Sequence, residues 1–152
     1  ISNSESKACD EVSVCSLGGA ERFLVWALRW EASLHEDLAF ARECLQESFE
    51  RAGVIDVLPV FRGYVAAVHG APSPYATVLR LGCWKVNPLE ARTLNAVACL
   101  QAGQFGEAWR AVSSLAPHGA AGAMLALGEL ADAMSREGGR IRCWQEIACS
   151  HA

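Results

Sequence analysis

The stretch NPLEARTLNAVACLQAGQFGEAWRAVSSLA, residues 87–116, decides the fold. It opens on Asn87-Pro88-Leu89-Glu90, which reads as a helix start. Asn87 carries a side-chain oxygen that accepts from the unpaired N–H groups of a first turn. Pro88 lacks an N–H and has its φ preset, which suits the first helical position, and Glu90 stands where a capping-box acid reaches back. The helix is predicted to run to Gln101 or Ala102, with Gly103 as the residue that ends it. Arg92 and Asn95 occupy one narrow side, so most of the circumference is expected to be covered. A second helix is predicted over residues 105–116. Phe105, Ala108, Trp109, Val112, Leu115 and Ala116 share one side of it, Glu107, Arg110, Ser113 and Ser114 the other, and Pro117 ends it.

The same periodicity extends in both directions. From Ala20 to about Ser33, Phe23, Trp26, Ala27 and Trp30 follow helical spacing. Leu38, Ala41, Leu45, Phe49 and Ala52 form one stripe opposite Glu43, Glu47 and Glu50, and Gly53 closes that helix. Asp56 reads as the N-cap of a third helix that tolerates Pro59 in its first turn. Its apolar face is Val57, Phe61, Tyr64, Val65 and Val68, and Gly70 stops it. The prolines of Gly70-Ala71-Pro72-Ser73-Pro74 forbid helix, and residues 76–86 suit a strand. With no sheet partner elsewhere, the stretch near residues 71–86 is expected to be an extended connector. Toward the C-terminus, a helix is predicted from Ala120 to Arg136, with Met124, Leu127, Leu130, Ala131 and Met134 inward and Gly138-Gly139 after it. In the tail, Ile141, Trp144, Ile147 and Ala148 share helical spacing that fits one short helix.

The expected architecture is all-α: six or seven short antiparallel helices stacked as hairpins in one domain over residues 18–139. A polar, Ser-rich stretch over 1–17 is expected to form a mobile arm, and 140–152 a C-terminal tail. A length of 152 residues supports one domain with a real core. A net charge of −4 argues against nucleic-acid binding, which rests on a positive surface that releases counterions. Hydrophobic content of 52% with 20% charged residues excludes an intrinsically disordered chain. No apolar stretch of signal-peptide length is legible near the start, and the small apolar run from Ala120 is broken by Glu129 well before a membrane span. A soluble cytoplasmic protein is therefore expected, and its many Ala and Arg with only two Lys fit a GC-rich bacterial genome. Seven scattered cysteines, an odd number, read as reduced thiols rather than a disulfide framework.

The run Ala102-Gly103-Gln104-Phe105-Gly106-Glu107-Ala108-Trp109 resembles the turn and second-helix opening of a tetratricopeptide hairpin. Ala96 and Cys99 fall where that family's first helix prefers small and medium residues, and Val112, Leu115 and Pro117 continue the pattern with the proline about three residues early. The resemblance spans residues 89–117, about one repeat. It implies that Ala96 and Ala108 let two backbones approach while Phe105 wedges into the hairpin. Small type III secretion chaperones carry degenerate repeats of this kind and shield an apolar helix of a secreted subunit on a concave surface, so the likeness extends distantly to them.

Candidate sites follow from residues that break the pattern. Phe40 falls on the polar side of its helix near Arg51 and Cys44, and Leu125 sits beside Glu129 and Asp132. With Trp84 in the connector they suggest a partner-binding patch. Phe105 and Trp109 complete the candidate surface, although the hairpin core also claims them. The reading is a non-enzymatic interaction module, or chaperone-like binder, that buries a partner's amphipathic helix in an apolar groove, with a homodimer as one form of it. Two alternatives stand beside it. One is a small helical-bundle enzyme or ligand-binding protein centred on Glu31, His35 and Glu36. It lacks a His-Glu-x-x-His pattern because position 39 is alanine. The other is a metal-stabilised module in which Cys9, Cys15, Cys143 and Cys149, or three of them with His151, hold zinc, against which stands the Cys-x5-Cys spacing. No phosphate-cradling glycine loop and no nucleophile signature is present, and no cofactor is expected.

Overall fold

A computed structural model describes residues 12–32, 38–69 and 82–149. Among them lie seven α-helices: α1 (Gly19–Ala32), α2 (Leu38–Arg51), α3 (Leu58–His69), α4 (Pro88–Gln101), α5 (Phe105–Leu115), α6 (Ala120–Arg136) and α7 (Trp144–Cys149). Two 3₁₀ turns, Val14–Ser16 and Ile55–Val57, accompany them. No strand is present among the described residues, and the all-α expectation stands; the one isolated β-bridge joins Ser13 to Lys85. Residues 71–81 of the expected connector lie outside the described residues.

The start of α4 forms as its sequence implies. Asn87 Oδ1 accepts from the Glu90 N–H at 2.8 Å, and Glu90 Oε1 accepts from the Asn87 N–H at 3.0 Å, so each satisfies a donor the helix leaves free. Gly103, at φ +76°, closes α4 and turns the chain into α5, giving the expected hairpin. The third helix starts differently from its sequence reading. The chain takes a 3₁₀ turn over Ile55–Val57 before α3 begins at Leu58, and no side chain caps it. Asp56 sits inside that turn, and Pro59 has no N–H to satisfy, which lowers the need for a cap.

Helix α4 is the axis of the molecule. It packs on α1, α5, α6 and α7, and α6 in turn packs on α3 and α5. Its burial on nearly all sides follows from its small residues: Ala96, Ala98 and Cys99 are buried beside Leu89, Leu94 and Val97. At the other end of the core, rings interlock between three helices. Phe23 lies 5.2 Å from Phe49, and Phe49 lies 5.3 Å from Phe61, centroid to centroid. Residues 12–17, the described end of the N-terminal arm, bury Val12 and Leu17 in this core, and the tail contributes Ile141 and Ile147.

Buried polar groups tie the ends together. Arg29 of α1 forms a two-pronged pair with Glu90: Nε donates to Oε2 at 2.7 Å and Nη2 to Oε1 at 3.0 Å. The same guanidinium donates to the carbonyls of Cys83 at 2.6 Å and Lys85 at 2.8 Å, so it anchors the segment before α4 as well. Both side chains are almost fully buried. Glu21, equally buried, accepts from Arg142 through the side chain and through the backbone N–H, and from the Gly18 N–H at 2.7 Å. Gln101 clamps the tail from α4, donating to the Gly139 carbonyl and accepting from the Ile141 N–H, both at 2.8 Å.

Candidate functional site

The five large apolar side chains singled out from the sequence all face solvent. Phe40 is 57% exposed, Trp84 56%, Phe105 63%, Trp109 46% and Leu125 73%. For Phe105 and Trp109 this corrects the expectation of hairpin core and of a wedge between α4 and α5. The inner face of α5 is instead Ala108, Ala111, Val112 and Leu115. Successive helical residues turn by about 100°, so Trp109 lies roughly that far round from Ala108. The two alanines draw α5 close to α4, and the larger rings stay on the rim.

These five residues do not converge on one cavity. Phe40 rests edge-on against Trp30 at 5.7 Å, and Lys85 Nζ sits 5.0 Å from the centroid of the Trp84 ring. Phe105 and Trp109 lie one turn apart on α5. Leu125 borders an apolar groove that runs between α3 and α6 and has a volume of about 460 Å³.

That groove exists because the residues along it are small. Helix α3 contributes Val60, Gly63 and Ala67, and α6 contributes Gly122, Ala123 and Ala126. Among the described residues on its lining, Glu129 is the one that carries charge. A methyl group built on Gly63 or on Gly122 would meet no atom of the other described elements within 4 Å. Neither glycine is therefore needed for the two helices to pack on each other. Glycine inside a helix destabilises it by roughly 0.5–1 kcal/mol relative to alanine, so the fold carries this disadvantage without a packing return. Sequence reading missed the groove, and interior helical glycines at 63 and 122 were the signal that could have found it.

A second, more polar groove of about 690 Å³ runs between α4 and the tail, with Asn95, Cys99, Gln104, Glu107, Arg140 and Cys143 on its lining. Burial pushes the Cys99 thiol above its ordinary pKa, and Glu107 and Cys143 push it further in the same direction. That environment disfavours the thiolate, the nucleophilic form.

Of the alternative polar centre, His35 and Glu36 lie outside the described residues. Glu31 is paired with Arg62, Oε2 to Nε at 3.4 Å, although neither of these buried atoms makes a hydrogen bond. Burial raises the Glu31 carboxyl above its usual pKa, while Arg62 and Arg42 pull it back only in part. Of the alternative zinc ligands, Cys9 and His151 lie outside the described residues, and Cys149 ends α7. Cys15 is exposed and Cys143 half-buried, and both are free thiols. Among the described residues no three His, Cys, Asp or Glu stand close enough to hold a metal ion, and no helix is long and apolar enough to cross a membrane. The chain matches no protein-family model, no curated protein and no solved structure.

Proposed function

We propose that this chain is a non-enzymatic protein-interaction module that seats an amphipathic helix of another protein in the groove between α3 and α6. The observation that carries this reading is the coincidence of three features on one face. An apolar groove is lined by Gly63, Gly122 and Ala126, a 73%-exposed leucine stands at its edge, and Glu129 is the only charge among its described lining residues. Small residues let a partner backbone come close, which is how helices gain dispersion contacts without large side chains of their own. Fully burying a leucine such as Leu125 is worth about 1.5–3 kcal/mol, enough to matter in a transient interface. Glu129 favours a partner helix with Lys or Arg flanking its apolar stripe. A client whose apolar helix this chain would shield, as a chaperone does, and a second copy of this chain are both partners of this kind.

The test uses a fluorescein-labelled amphipathic peptide of Leu and Lys as probe, with binding followed by anisotropy. Wild-type protein is expected to bind it saturably. Gly122→Leu and Gly63→Leu, which fill the groove, are expected to weaken binding at least tenfold while the far-UV circular dichroism stays unchanged. Saturable binding that ignores both substitutions, or no binding at all, refutes the reading. Light scattering of the free protein reads self-association through the same face, which Gly122→Leu would likewise abolish.

A further inference from the structure

A cavity of about 400 Å³ lies between the first two turns of α4 and Trp144 at the start of α7. That volume falls within the roughly 300–1,000 Å³ of sites that take small organic molecules. Val86, Pro88, Ala91 and the half-buried Trp144 give it apolar walls, and Asn87, Arg92 and Asn95 supply its polar side chains. Two of these residues are held from elsewhere in the fold. The Val86 N–H donates to the Val12 carbonyl at 2.9 Å, and the Arg92 guanidinium donates to Ser114 Oγ of α5 at 3.3 Å.

The polar side chains on this lining offer a ligand donors. Arg92 is a cation that donates and never accepts. Asn87 Oδ1 already accepts the Glu90 N–H at 2.8 Å, and Asn95 Oδ1 accepts the Trp144 N–H at 3.5 Å. What each amide has to give a ligand is therefore chiefly its NH2, and a tryptophan side chain likewise only donates. Arg92 and Asn95 stand three residues apart on α4, which sets them on one face. Among the described lining residues Arg92 alone carries charge, while the carboxylates of Glu107 and Glu146 belong to the lining of the neighbouring polar groove.

We propose that this cavity is a binding site for a small aromatic carboxylate. An ionised carboxylate only accepts, which matches a set of side chains that donate, and its planar shape suits the fork of a guanidinium. One cation balances the single charge of a carboxylate, whereas a phosphate monoester would bring roughly −1.5 to −2 at neutral pH. The indole of Trp144 is a partner on which an aryl ring stacks, and Val86, Pro88 and Ala91 add apolar surface for the body of the ligand. No described residue lines both this cavity and the groove between α3 and α6, so the site is independent of the protein-interaction reading.

The test titrates the full chain with cinnamate, and separately with the uncharged cinnamamide of the same shape, followed by calorimetry and heteronuclear NMR. Cinnamate is expected to bind saturably and at least tenfold more tightly than the amide, and to shift the side-chain N–H signals of Arg92, Asn95 and Trp144. Asn95→Asp keeps an oxygen for the Trp144 N–H but puts a negative charge where an NH2 donated. It should weaken cinnamate at least tenfold with the far-UV circular dichroism unchanged, and Arg92→Gln should weaken it by a similar factor. No saturation within the solubility of the probe, equal affinity for the amide, indifference to Asn95→Asp, or shifts confined to Gly63 and Gly122 would overturn the proposal.

Discussion

Replacing Arg29 by methionine removes a cation and keeps most of the side chain's length. Glu90 then remains fully buried with its charge uncompensated, while the hydrogen bonds of its capping box survive. Removing one partner of a buried ion pair destabilises a protein by about 3–5 kcal/mol, because the other charge keeps its desolvation penalty. The carbonyls of Cys83 and Lys85 also lose donors, but those residues are exposed and half-exposed, so water replaces much of what is lost. The expected loss is therefore about 3–5 kcal/mol, a large share of the ~5–15 kcal/mol that holds a typical domain. Glu90→Gln retains an acceptor for the Asn87 N–H and leaves the buried Arg29 cation without its carboxylate instead, with a loss of similar size. The double variant Arg29→Met/Glu90→Gln buries no charge, so it is expected to recover at least half of the summed losses. Urea unfolding followed by tryptophan fluorescence reads all four proteins, and the midpoint should move with little change in slope. Arg51→Ala is the control, since its pair with Glu47 is solvent-exposed and its removal should leave the midpoint in place. A loss below about 1 kcal/mol for Arg29→Met, or strictly additive losses in the double variant, would refute the reasoning.

Two further outcomes are expected. Gly63→Ala and Gly122→Ala add a methyl where nothing lies within 4 Å, so each should stabilise the free protein by roughly 0.5–1 kcal/mol in thermal melts; destabilisation by either would show that the groove is not open. Acid titration of stability should reveal Glu21. Burial pushes its carboxyl up, but the side-chain hydrogen bond from Arg142, then the Arg142 and Gly18 backbone N–H groups, together bring it below the ordinary value of 4.5. A depressed folded pKa contributes stability that is fully present above the unfolded value and drains away as pH falls below it. Glu21→Gln should therefore cost stability at neutral pH and flatten the decline below pH 4.5, and an unchanged acid limb would contradict this assignment.

Where each helix begins and ends was largely legible because the hydrogen bonds that decide it are local. The Asn87 box and the left-handed glycines at 53 and 103 involve partners within a few residues, so spacing alone predicts them. The start of α3 escaped because a 3₁₀ turn over Ile55–Val57 stands where a side-chain cap was expected, and such turns commonly precede helices without a distinct sequence mark. Outward placement of Phe40 and Leu125 also followed from the helical wheel. Phe105 and Trp109 did not, since their fate depended on how closely Ala108 and Ala111 let α5 approach α4.

By itself, then, the amino-acid order determined an all-α chain, the punctuation of its helices and two of its outward apolar side chains. Only the tertiary structure decided that Arg29 meets Glu90 across 61 positions, and that Gly63 and Gly122 of separate helices share one groove. The physical reason is range. Backbone hydrogen bonding and helical periodicity act over a few neighbouring residues, whereas burial, charge pairing and surface shape depend on whatever the folded chain brings to the other side.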